Sequence, residues 1–299
     1  EDDAYPYRAT VGWAGGFWCP VSAPCGLAGD QAMDESRSLV YTTTPLTEPL
    51  EILGFPRAVL YVSSTAEIAF FSVKISDVAP DGSSTMVCRG VLNATHRASH
   101  RHPTPLTPGE VYELEIPLKA VSWVFQAGHR LRVVVSSSDW PTIWPSPQPA
   151  VNCIFHGSTR PSRVILPVIE HQATSAIEPQ FLLPPLLKTK VHYQGKKPIW
   201  QISQDVIDGF TTVYVASQGQ MSAEGELYAM ERDSYAEVGA CDEHPEQAYA
   251  KGSCRYSIVQ RDGQTDVAGR VAIRSTAKDL NVDIELRITM DNEPFFHRQ

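Results

Sequence analysis

Residues 68–92 read IAFFSVKISDVAPDGSSTMVCRGVL and predict two β-strands joined by a tight turn. Apolar and polar side chains alternate along the first strand, which gives that strand two chemically different sides. The apolar side holds Phe71, Val73 and Ile75, and the polar side holds Ser72, Lys74 and Ser76. A Pro-Asp-Gly turn at 80–82 then reverses the chain into TMVCRGVL, because Gly accepts the backbone angles that such turns need. The stretch therefore predicts a β-hairpin.

Similar strand patterns lie on both sides of this hairpin. They are rich in β-branched and aromatic residues, which favour strands, and they occupy 38–44, 56–64, 110–118, 129–138, 151–157 and 162–169. No convincing amphipathic helix lies between them, which argues against parallel βαβ units. The sequence predicts an all-β fold, with an antiparallel jelly-roll (galactose-binding-like) sandwich followed by a second antiparallel β domain.

The chain divides into four parts on these patterns. Residues 1–36 form an irregular lead-in, punctuated by Gly and Pro, that we expect to pack on a jelly roll over 37–170. A Pro-rich linker at 171–187 leads to the second β domain over 188–299. The clearest strand of the chain, LNVDIELRITMD at 280–291, predicts a sheet with one buried and one solvated face.

The composition is that of a globular protein. The chain has 299 residues, of which 42% are hydrophobic and 20% charged. A formal net charge of −9 argues against sequence-independent nucleic-acid binding, which needs a basic surface, and disfavours anionic membranes. No apolar run approaches the roughly 20 residues of a membrane-spanning helix, so we expect no membrane partner.

Six cysteines are too few for a disulfide-scaffold protein. We expect buried free thiols at Cys88 and Cys153, and the alternative of a disulfide between Cys241 and Cys254 stays open. This cysteine usage fits a cytoplasmic protein. The chain starts at Glu1 with neither an initiator Met nor a signal peptide, so we expect residue 1 to be an internal position of a longer product.

The sequence offers no clear catalytic or metal-binding motif. The G-x-S-x-G elbow that displays the nucleophile of many serine hydrolases is absent. A triad of His129 or His156 with one of the many serines stays geometrically open. His96, His100 and His102 share a loop with two arginines, whose charge disfavours a divalent cation. We therefore predict no catalytic residue, metal or cofactor in this chain.

Aromatic residues near prolines are the remaining candidates for a functional surface. Trp140 and Trp144 lie in SSDWPTIWPSPQP at 137–149, where prolines restrict the backbone. Exposed aromatic rings on a β-sandwich can stack on sugars, but a rigid turn also suits a corner that docks on another domain. The prolines favour the docking corner. The candidate interdomain or ligand-surface residues are Trp13, Trp18, Trp140, Trp144 and His96.

Five phrases resemble, in order, the C-terminal region of the Xaa-Pro dipeptidyl-peptidases and cocaine-esterase-like serine hydrolases. They are TVGWAGGFWCP (10–20), GDQAMDESRSLVYTTTPLTEPLEILG (29–54), SDVAPDGSSTMVCRGVLNATHR (76–97), PLTPGEVYELEIPL (105–118) and FQAGHRLRVVVSSSDWPTIWPSP (125–147). Together they cover most of residues 10–168. Residues 188–299 are similar, more weakly, to an extra β domain that follows the jelly roll in some bacterial members.

The resemblance implies that the jelly roll packs against an α/β-hydrolase domain, which would carry the catalytic Ser, Asp and His before residue 1. None of these three residues maps onto this chain, so we predict that the chain alone is inactive. Its implied role is that of a non-catalytic accessory region of an Xaa-Pro dipeptidyl-peptidase or acyl esterase. It would stabilise the catalytic domain, shape the active-site entrance and support a homodimer. The alternative is a free-standing β-sandwich module that binds carbohydrate or a protein partner.

Overall fold

The computed structural model describes residues 1–16, 28–169, 180–182, 191–223 and 228–299. The chain forms two compact units. The first contains Glu1–Glu170, Val206–Phe210 and Ala240–Ala248, and the second contains His171–Asp205, Thr211–Gly239 and Tyr249–Gln299. Trp18 and the greater part of the predicted linker at 171–187 lie outside the described residues.

The first unit is built mainly from strands. They are β1 (Asp2–Pro6), β2 (Leu39–Thr42), β3 (Leu50–Gly54), β4 (Arg57–Ser64), β5 (Phe70–Val78), β6 (Ser84–Asn93), β7 (Tyr112–Pro117), β8 (Val121–Phe125), β9 (Arg130–Ser136), β10 (Val151–Phe155) and β11 (Arg163–Ile165). The helical elements in the described residues are short. They are helix α1 (Ala32–Glu35) and 3₁₀ turns at Trp13–Gly15, Ala94–His96 and Pro245–Gln247.

These strands form two main antiparallel sheets that enclose a common core. One sheet has the order β2-β9-β5-β6, and the other has the order β1-β10-β4, with β7 and β11 both paired to β4. Strands β3 and β8 form a separate pair. The prediction of an all-β sandwich is confirmed, because the two sheets bury one shared apolar layer as sandwiches do.

The core takes side chains from both sheets. Phe71, Val73 and Ile75 of β5 are completely buried, as their alternation predicts. Leu114 and Ile116 of β7 join the same cluster from the other sheet. Burial of each such side chain contributes about 1.5–3 kcal/mol relative to exposure, so this layer supplies much of the unit's stability.

The predicted hairpin is present and joins β5 to β6. Val78 pairs with Ser84 across the end of the two strands, and Gly82 takes a φ of 91°, which a side chain would strain. The Asp81 carboxylate accepts hydrogen bonds from the Ser83 backbone N–H (3.0 Å) and hydroxyl (2.7 Å). These bonds lower the pKa of Asp81 and fix the turn.

The polar side of β5 is buried as well. Ser72, Lys74 and Ser76 are between 0% and 2% exposed. The segment around α1 covers this side, since the Lys74 ammonium lies 3.2 Å from the Asp34 carboxylate. The strand that decides the fold is therefore enclosed on both faces.

The lead-in of residues 1–36 is not wholly irregular, contrary to the prediction. Its first residues form β1, which pairs antiparallel with β10 from Asp2 opposite Phe155 to Pro6 opposite Val151. The hydrogen-bonding partner lies about 150 residues away in sequence. Because a short edge strand takes its conformation from that partner, the local sequence carries little signal for it.

The second unit is a single antiparallel sheet of long strands within the described residues. The strands are β12 (Val191–Gly195), β13 (Ile199–Gln204), β14 (Phe210–Ala223), β15 (Ala229–Cys241), β16 (Tyr249–Gln260), β17 (Gly263–Ser275), β18 (Leu280–Met290) and β19 (Glu293–Arg298). Their order is β12-β14-β15-β16-β17-β18-β19, and β13 also pairs with β14.

One side of this sheet is apolar and the other is charged. Val271 lies opposite Ile284 in the β17–β18 register, and two residues further along the strands Ile273 lies opposite Val282. One side of the sheet is called the apolar face. It carries Val267, Val271, Ile273, Val282, Ile284 and Ile288. The prediction that this face is buried is wrong, since Val282 is 51% and Ile284 59% exposed. In the part of the unit that the structure describes, the strands belong to one hydrogen-bonded sheet.

The alternative of a Cys241–Cys254 disulfide is excluded, because both thiols are free. Cys254 lies opposite Ser234 in the β15–β16 register. Ser234 is seven residues from Cys241 along the same strand, or roughly 23 Å at the usual rise per residue. A disulfide needs Cα atoms within about 7 Å. Cys88 is buried and free, as predicted, whereas Cys153 is free but only partly buried.

A close backbone contact of β6 gives a direct test of the sandwich. A Cβ atom on Gly90 would lie 2.3 Å from the Pro117 carbonyl oxygen and 3.1 Å from the Leu118 Cα. We expect Gly90→Ala to destabilise the first unit by about 1–3 kcal/mol, because the two chain segments must separate. Urea denaturation followed by tryptophan fluorescence measures the effect as a lower midpoint.

Gly29→Ala is the matched control, since a Cβ atom on Gly29 meets no atom within 4 Å. We expect its midpoint to equal or exceed that of the unsubstituted chain, because Ala restricts the unfolded state. Equal midpoints for the two variants would contradict the close approach of β6 to the end of β7.

Candidate functional site

The turn after β9 is tied to the N-terminal segment by hydrogen bonds. We call residues 137–147 the Trp140 corner. The Ser138 hydroxyl donates to the Ala9 carbonyl oxygen (2.9 Å), and the Trp140 backbone N–H donates to the Val11 carbonyl oxygen (2.8 Å). Both bonds use backbone acceptors of the lead-in, so they fix the position of the corner against that segment.

Gly12 permits this close contact. It has a φ of 125°, and a Cβ atom there would lie 2.6 Å from both the Asp139 carbonyl carbon and the Trp140 backbone nitrogen. A side chain would therefore clash with backbone that has no room to move, and the backbone angle itself favours glycine. The sequence TVGW thus encodes a point where two chain segments touch.

The tryptophans of the candidate surface differ in exposure. Trp140 is only 2% exposed and supports the corner from within, so its ring is not a platform for a sugar. Trp13, on the 3₁₀ turn next to Gly12, and Trp144 are half-buried. The Trp144 indole N–H is buried and has no hydrogen-bond partner among the described residues, a state that costs free energy until a partner is supplied.

His96 lies on the 3₁₀ turn that follows β6, and it is half-buried. Its Nδ1 atom is also buried without a partner in the described ranges. The Ala94 N–H donates to the Ala69 carbonyl oxygen (2.9 Å), and the Ser146 hydroxyl of the Trp140 corner donates to the carbonyl of Ile68 (3.4 Å). The His96 turn and the corner are therefore attached to adjacent residues of the chain.

Two cations and two anions are buried together behind the corner. The Lys74 ammonium lies 3.2 Å from the Asp34 carboxylate and 3.7 Å from the Asp139 carboxylate. The Arg89 guanidinium lies 3.0 Å from Asp139 and donates to the Thr142 hydroxyl at 3.2 Å. We call Asp34, Lys74, Arg89 and Asp139 the buried charge cluster. Its formal charges sum to zero, as burial requires.

The cluster also determines the path of the lead-in. The Asp34 carboxylate accepts hydrogen bonds from the backbone N–H groups of Gly12 (2.9 Å) and Ala14 (3.2 Å). Desolvation by burial raises the pKa of Asp139, although the neighbouring Lys74 and Arg89 act in the opposite direction. A buried charge strongly destabilises the folded protein when the oppositely charged partner is removed.

None of the four cluster residues was predicted from the sequence. The usable signal was Lys74, a lysine in the middle of a strand predicted to lie in the core, because a lysine is almost never fully buried unless it is paired. The partner could not be identified in this way, since Asp34 and Asp139 lie 40 and 65 residues from Lys74 in sequence.

Further ion pairs hold the lead-in at its edges. Asp242, which belongs to the first unit, accepts hydrogen bonds from the Thr10 backbone N–H and hydroxyl, both at 2.9 Å, and pairs with Arg37. Glu35 pairs with Arg132 of β9 at 2.5 Å. The lead-in is thus attached to two further parts of the unit, the segment that contains Asp242 and strand β9.

The histidines do not form a nucleophile–base pair in the part of the chain that the structure describes. His129 Nδ1 lies 2.8 Å from the Asp77 carboxylate. His156 Nε2 lies 3.2 Å from Asp3, and its Nδ1 lies 3.6 Å from Glu1. Neither imidazole has a hydrogen bond to a serine there, so the triad that the sequence left open is not assembled.

The histidine loop is held by an arginine. Arg97 donates to the carbonyl oxygens of Ala94 (3.1 Å) and Thr104 (2.7 Å). The rings of His96 and His100 lie 5.5 Å apart between centroids. Across the described ranges, no group of three or more His, Cys, Asp or Glu side chains is placed to hold a metal ion.

Comparison with known proteins assigns the first unit to a protein family. Residues 6–165 match the family described as the X-Pro dipeptidyl-peptidase C-terminal non-catalytic domain, which is more than half of the chain. The chain belongs to this family. The predicted resemblance is thereby confirmed. The matched residues of the X-Pro dipeptidyl-peptidase C-terminal domain include strands β2 to β11 of the sandwich, the Trp140 corner and the whole buried charge cluster.

Its relatives are hydrolases. Cocaine esterase from Rhodococcus sp. (strain MB1 Bresler) is 36% identical over 151 residues, which cover 46% of this chain and 26% of the relative. A putative Xaa-Pro dipeptidyl-peptidase from Rhodopirellula baltica is 28% identical over 124 residues, 39% of this chain and 20% of the relative. The crystal structure of an aminopeptidase from a Thaumarchaeota archaeon superposes with a TM-score of 0.52 and 28% identity, covering 57% of this chain and 33% of that one.

The chain spans about a quarter or less of the length of these curated relatives. The second unit lies beyond the residues that the family match covers. Among the helices in the described residues, none has the length and apolar character needed to cross a membrane.

Removal of one buried charge tests the cluster. We expect Lys74→Met to lower the free energy of unfolding of the first unit by about 3–5 kcal/mol, because it leaves the Asp34 and Asp139 carboxylates buried with too little positive charge. Chemical denaturation of the chain and its variant, followed by tryptophan fluorescence, gives the difference.

Arg57→Met is the matched control on an exposed ion pair. The Arg57 guanidinium lies 3.1 Å from Glu115, with the two side chains 51% and 60% exposed. We expect a change of no more than about 1 kcal/mol, because water screens such a pair. A Lys74→Met variant as stable as Arg57→Met would show that the cluster does not support the fold.

Proposed function

We propose that this chain is the accessory C-terminal region of a serine hydrolase, and that it stabilises an α/β-hydrolase catalytic domain. The match of residues 6–165 to a non-catalytic C-terminal domain carries this proposal. The buried charges and hydrogen bonds of the first unit support it, since they give the sandwich a defined surface without assembling a nucleophile and a base in the described ranges. The chain alone is then inactive.

The complete enzyme would cleave amide or ester bonds. Relatives of this chain include a cocaine esterase and putative Xaa-Pro dipeptidyl-peptidases. Both activities transfer an acyl group to a serine and then to water, so one catalytic apparatus serves either bond. Substrate choice would lie in the catalytic domain, and the accessory region would contribute to it only by shaping the entrance to the active site.

The surface around Trp13, Trp144 and His96 is the proposed contact with the catalytic domain. Trp13 and Trp144 are half-buried aromatics, a residue type that is frequent at the energetic centres of interfaces. The buried Trp144 N–H and His96 Nδ1 lack partners in the described part of the chain, and polar atoms of a docked domain would satisfy both. Trp140 would act as a positioning residue beneath this surface.

The proposal also covers the domain boundaries, the cellular compartment and the oligomeric state. The jelly roll over 37–170 with its lead-in would be the docking domain, and the β domain over 188–299 would be an addition to it, joined by the linker at 171–187. We place the protein in the cytoplasm and expect it to form a homodimer. The free thiols of Cys88, Cys153, Cys241 and Cys254 support a reducing compartment.

The activity of the chain alone and of a longer product tests the proposal. We expect no turnover of Ala-Pro-p-nitroanilide or p-nitrophenyl acetate by the chain alone. We expect turnover once it is joined to the α/β-hydrolase domain that we propose to be encoded with it. A turnover by the isolated chain that a fluorophosphonate abolishes would refute the accessory role, because it would require a serine nucleophile within these residues.

The docking surface is tested with the two parts supplied as separate chains. We expect Trp144→Ala to weaken binding to the catalytic domain by about 30-fold, which corresponds to about 2 kcal/mol for an interface centre. Phe295→Ala is the control, because Phe295 is an exposed aromatic (68%) on β19 of the second unit. Isothermal titration calorimetry measures both, and equal affinities would place the contact elsewhere.

A further inference from the structure

The first unit includes a segment that is distant in sequence from most of its residues. Ala240–Ala248 forms one compact unit with Glu1–Glu170, whereas the family match ends at residue 165. We call Ala240–Ala248 the clasp segment. Three of its small side chains are at most 1% exposed, those of Ala240, Cys241 and Ala248. The segment is therefore a packed part of the first unit that the family description does not cover.

Asp242 connects the clasp segment to the lead-in. Its Oδ1 atom accepts hydrogen bonds from the Thr10 backbone N–H and from the Thr10 hydroxyl, both at 2.9 Å. Its Oδ2 atom pairs with Arg37, which also donates to the Thr10 hydroxyl at 2.7 Å. Hydrogen bonds to an ionised group are stronger than neutral ones, and this carboxylate is only 24% exposed. The three side chains thus form a closed hydrogen-bonded ring.

Thr10 lies in the middle of the bonds that hold the Trp140 corner against the lead-in. The carbonyl oxygens on either side of Thr10, those of Ala9 and Val11, both accept hydrogen bonds from the corner. Trp13 of the proposed contact surface follows three residues after Thr10. Neighbouring backbone hydrogen bonds open together as a cooperative unit. A bond that fixes Thr10 therefore helps to order both sides of the contact surface.

We propose that the clasp segment orders the docking surface and that Asp242 is its positioning residue. Without this carboxylate the Thr10 N–H loses its acceptor, and Arg37 and Arg8 lose the anion that lies near both guanidinium groups. A surface that is ordered before association loses less conformational entropy on binding. Loss of the carboxylate therefore weakens docking without removing a contact to the partner. The effect on docking rests on the proposed accessory role, whereas the ordering of the lead-in does not.

Hydrogen exchange of individual backbone amides, followed by NMR on the full chain, tests the ordering. In Asp242→Ala we expect the amides of Gly12 and Trp140 to exchange on the order of 10-fold faster. Neither amide is bonded to Asp242, because Gly12 donates to Asp34 and Trp140 donates to Val11. Their faster exchange would therefore report a looser lead-in and corner. The amides of β5 are expected to keep their protection, since the sandwich stays folded.

Glu243→Ala is the matched control, because it removes the next carboxylate of the chain, whose side chain is exposed. We expect its exchange rates to equal those of the unsubstituted chain. Asp242→Asn keeps an oxygen acceptor for Thr10 but loses the charge opposite Arg37, so its increase is expected to be smaller. This milder variant carries the test if the Ala variant also loses protection in β5. Faster exchange at Thr10 alone, with Gly12 unchanged, would overturn the proposal.

The effect on docking is measured by calorimetry with the catalytic domain supplied as a separate chain. We expect Asp242→Ala to raise the dissociation constant on the order of 10-fold and Glu243→Ala to leave it unchanged. Equal dissociation constants for the two variants would show that the docking surface does not depend on the clasp segment. A complete absence of binding by the unsubstituted chain would instead refute the accessory role, and amide exchange of the chain alone would still decide whether Asp242 orders the lead-in.

Discussion

Burial of the Lys74 ammonium is the constraint on which the first unit depends. An unpaired charge cannot remain in a dry interior, so β5 needs carboxylates on the side that faces away from the core. The lead-in supplies Asp34 and the turn after β9 supplies Asp139. Three segments that are distant in sequence must therefore meet at one point, and the sheet β2-β9-β5-β6 is covered on its second face as a consequence.

This requirement connects stability with the proposed surface. The same Asp34 that pairs with Lys74 also binds two backbone N–H groups of the lead-in, and the same Asp139 precedes Trp140. The charges consequently place the Trp13 turn and the Trp140 corner side by side before any partner arrives. A surface that is already ordered loses less conformational entropy on association, which is the advantage of a costly buried cluster in a domain whose proposed role is docking.

The parts of the fold that depend on local sequence could be predicted, and the parts that depend on distant segments could not. Alternation gave the core side of β5, and the Pro-Asp-Gly turn gave its hairpin, because both signals are local. Burial of Lys74 depended on Asp34, and the strand Asp2–Pro6 depended on β10, so neither could be recognised locally. Trp140 shows the same limit at the candidate site. The sequence indicated a rigid aromatic turn, but it could not show which tryptophan of the turn is buried. The lead-in packs against the turn, and Trp140 is buried there while Trp144 is half-buried.

The two units differ in how far the faces of an alternating strand are covered. The first unit encloses β5 on both sides with its own residues, whereas β18 of the second unit leaves Val282 and Ile284 uncovered in the described structure. A partner that binds only the folded sheet would stabilise that sheet by mass action. Clean alternation in a sequence therefore predicts that one face of a strand is apolar, but not whether that face is buried.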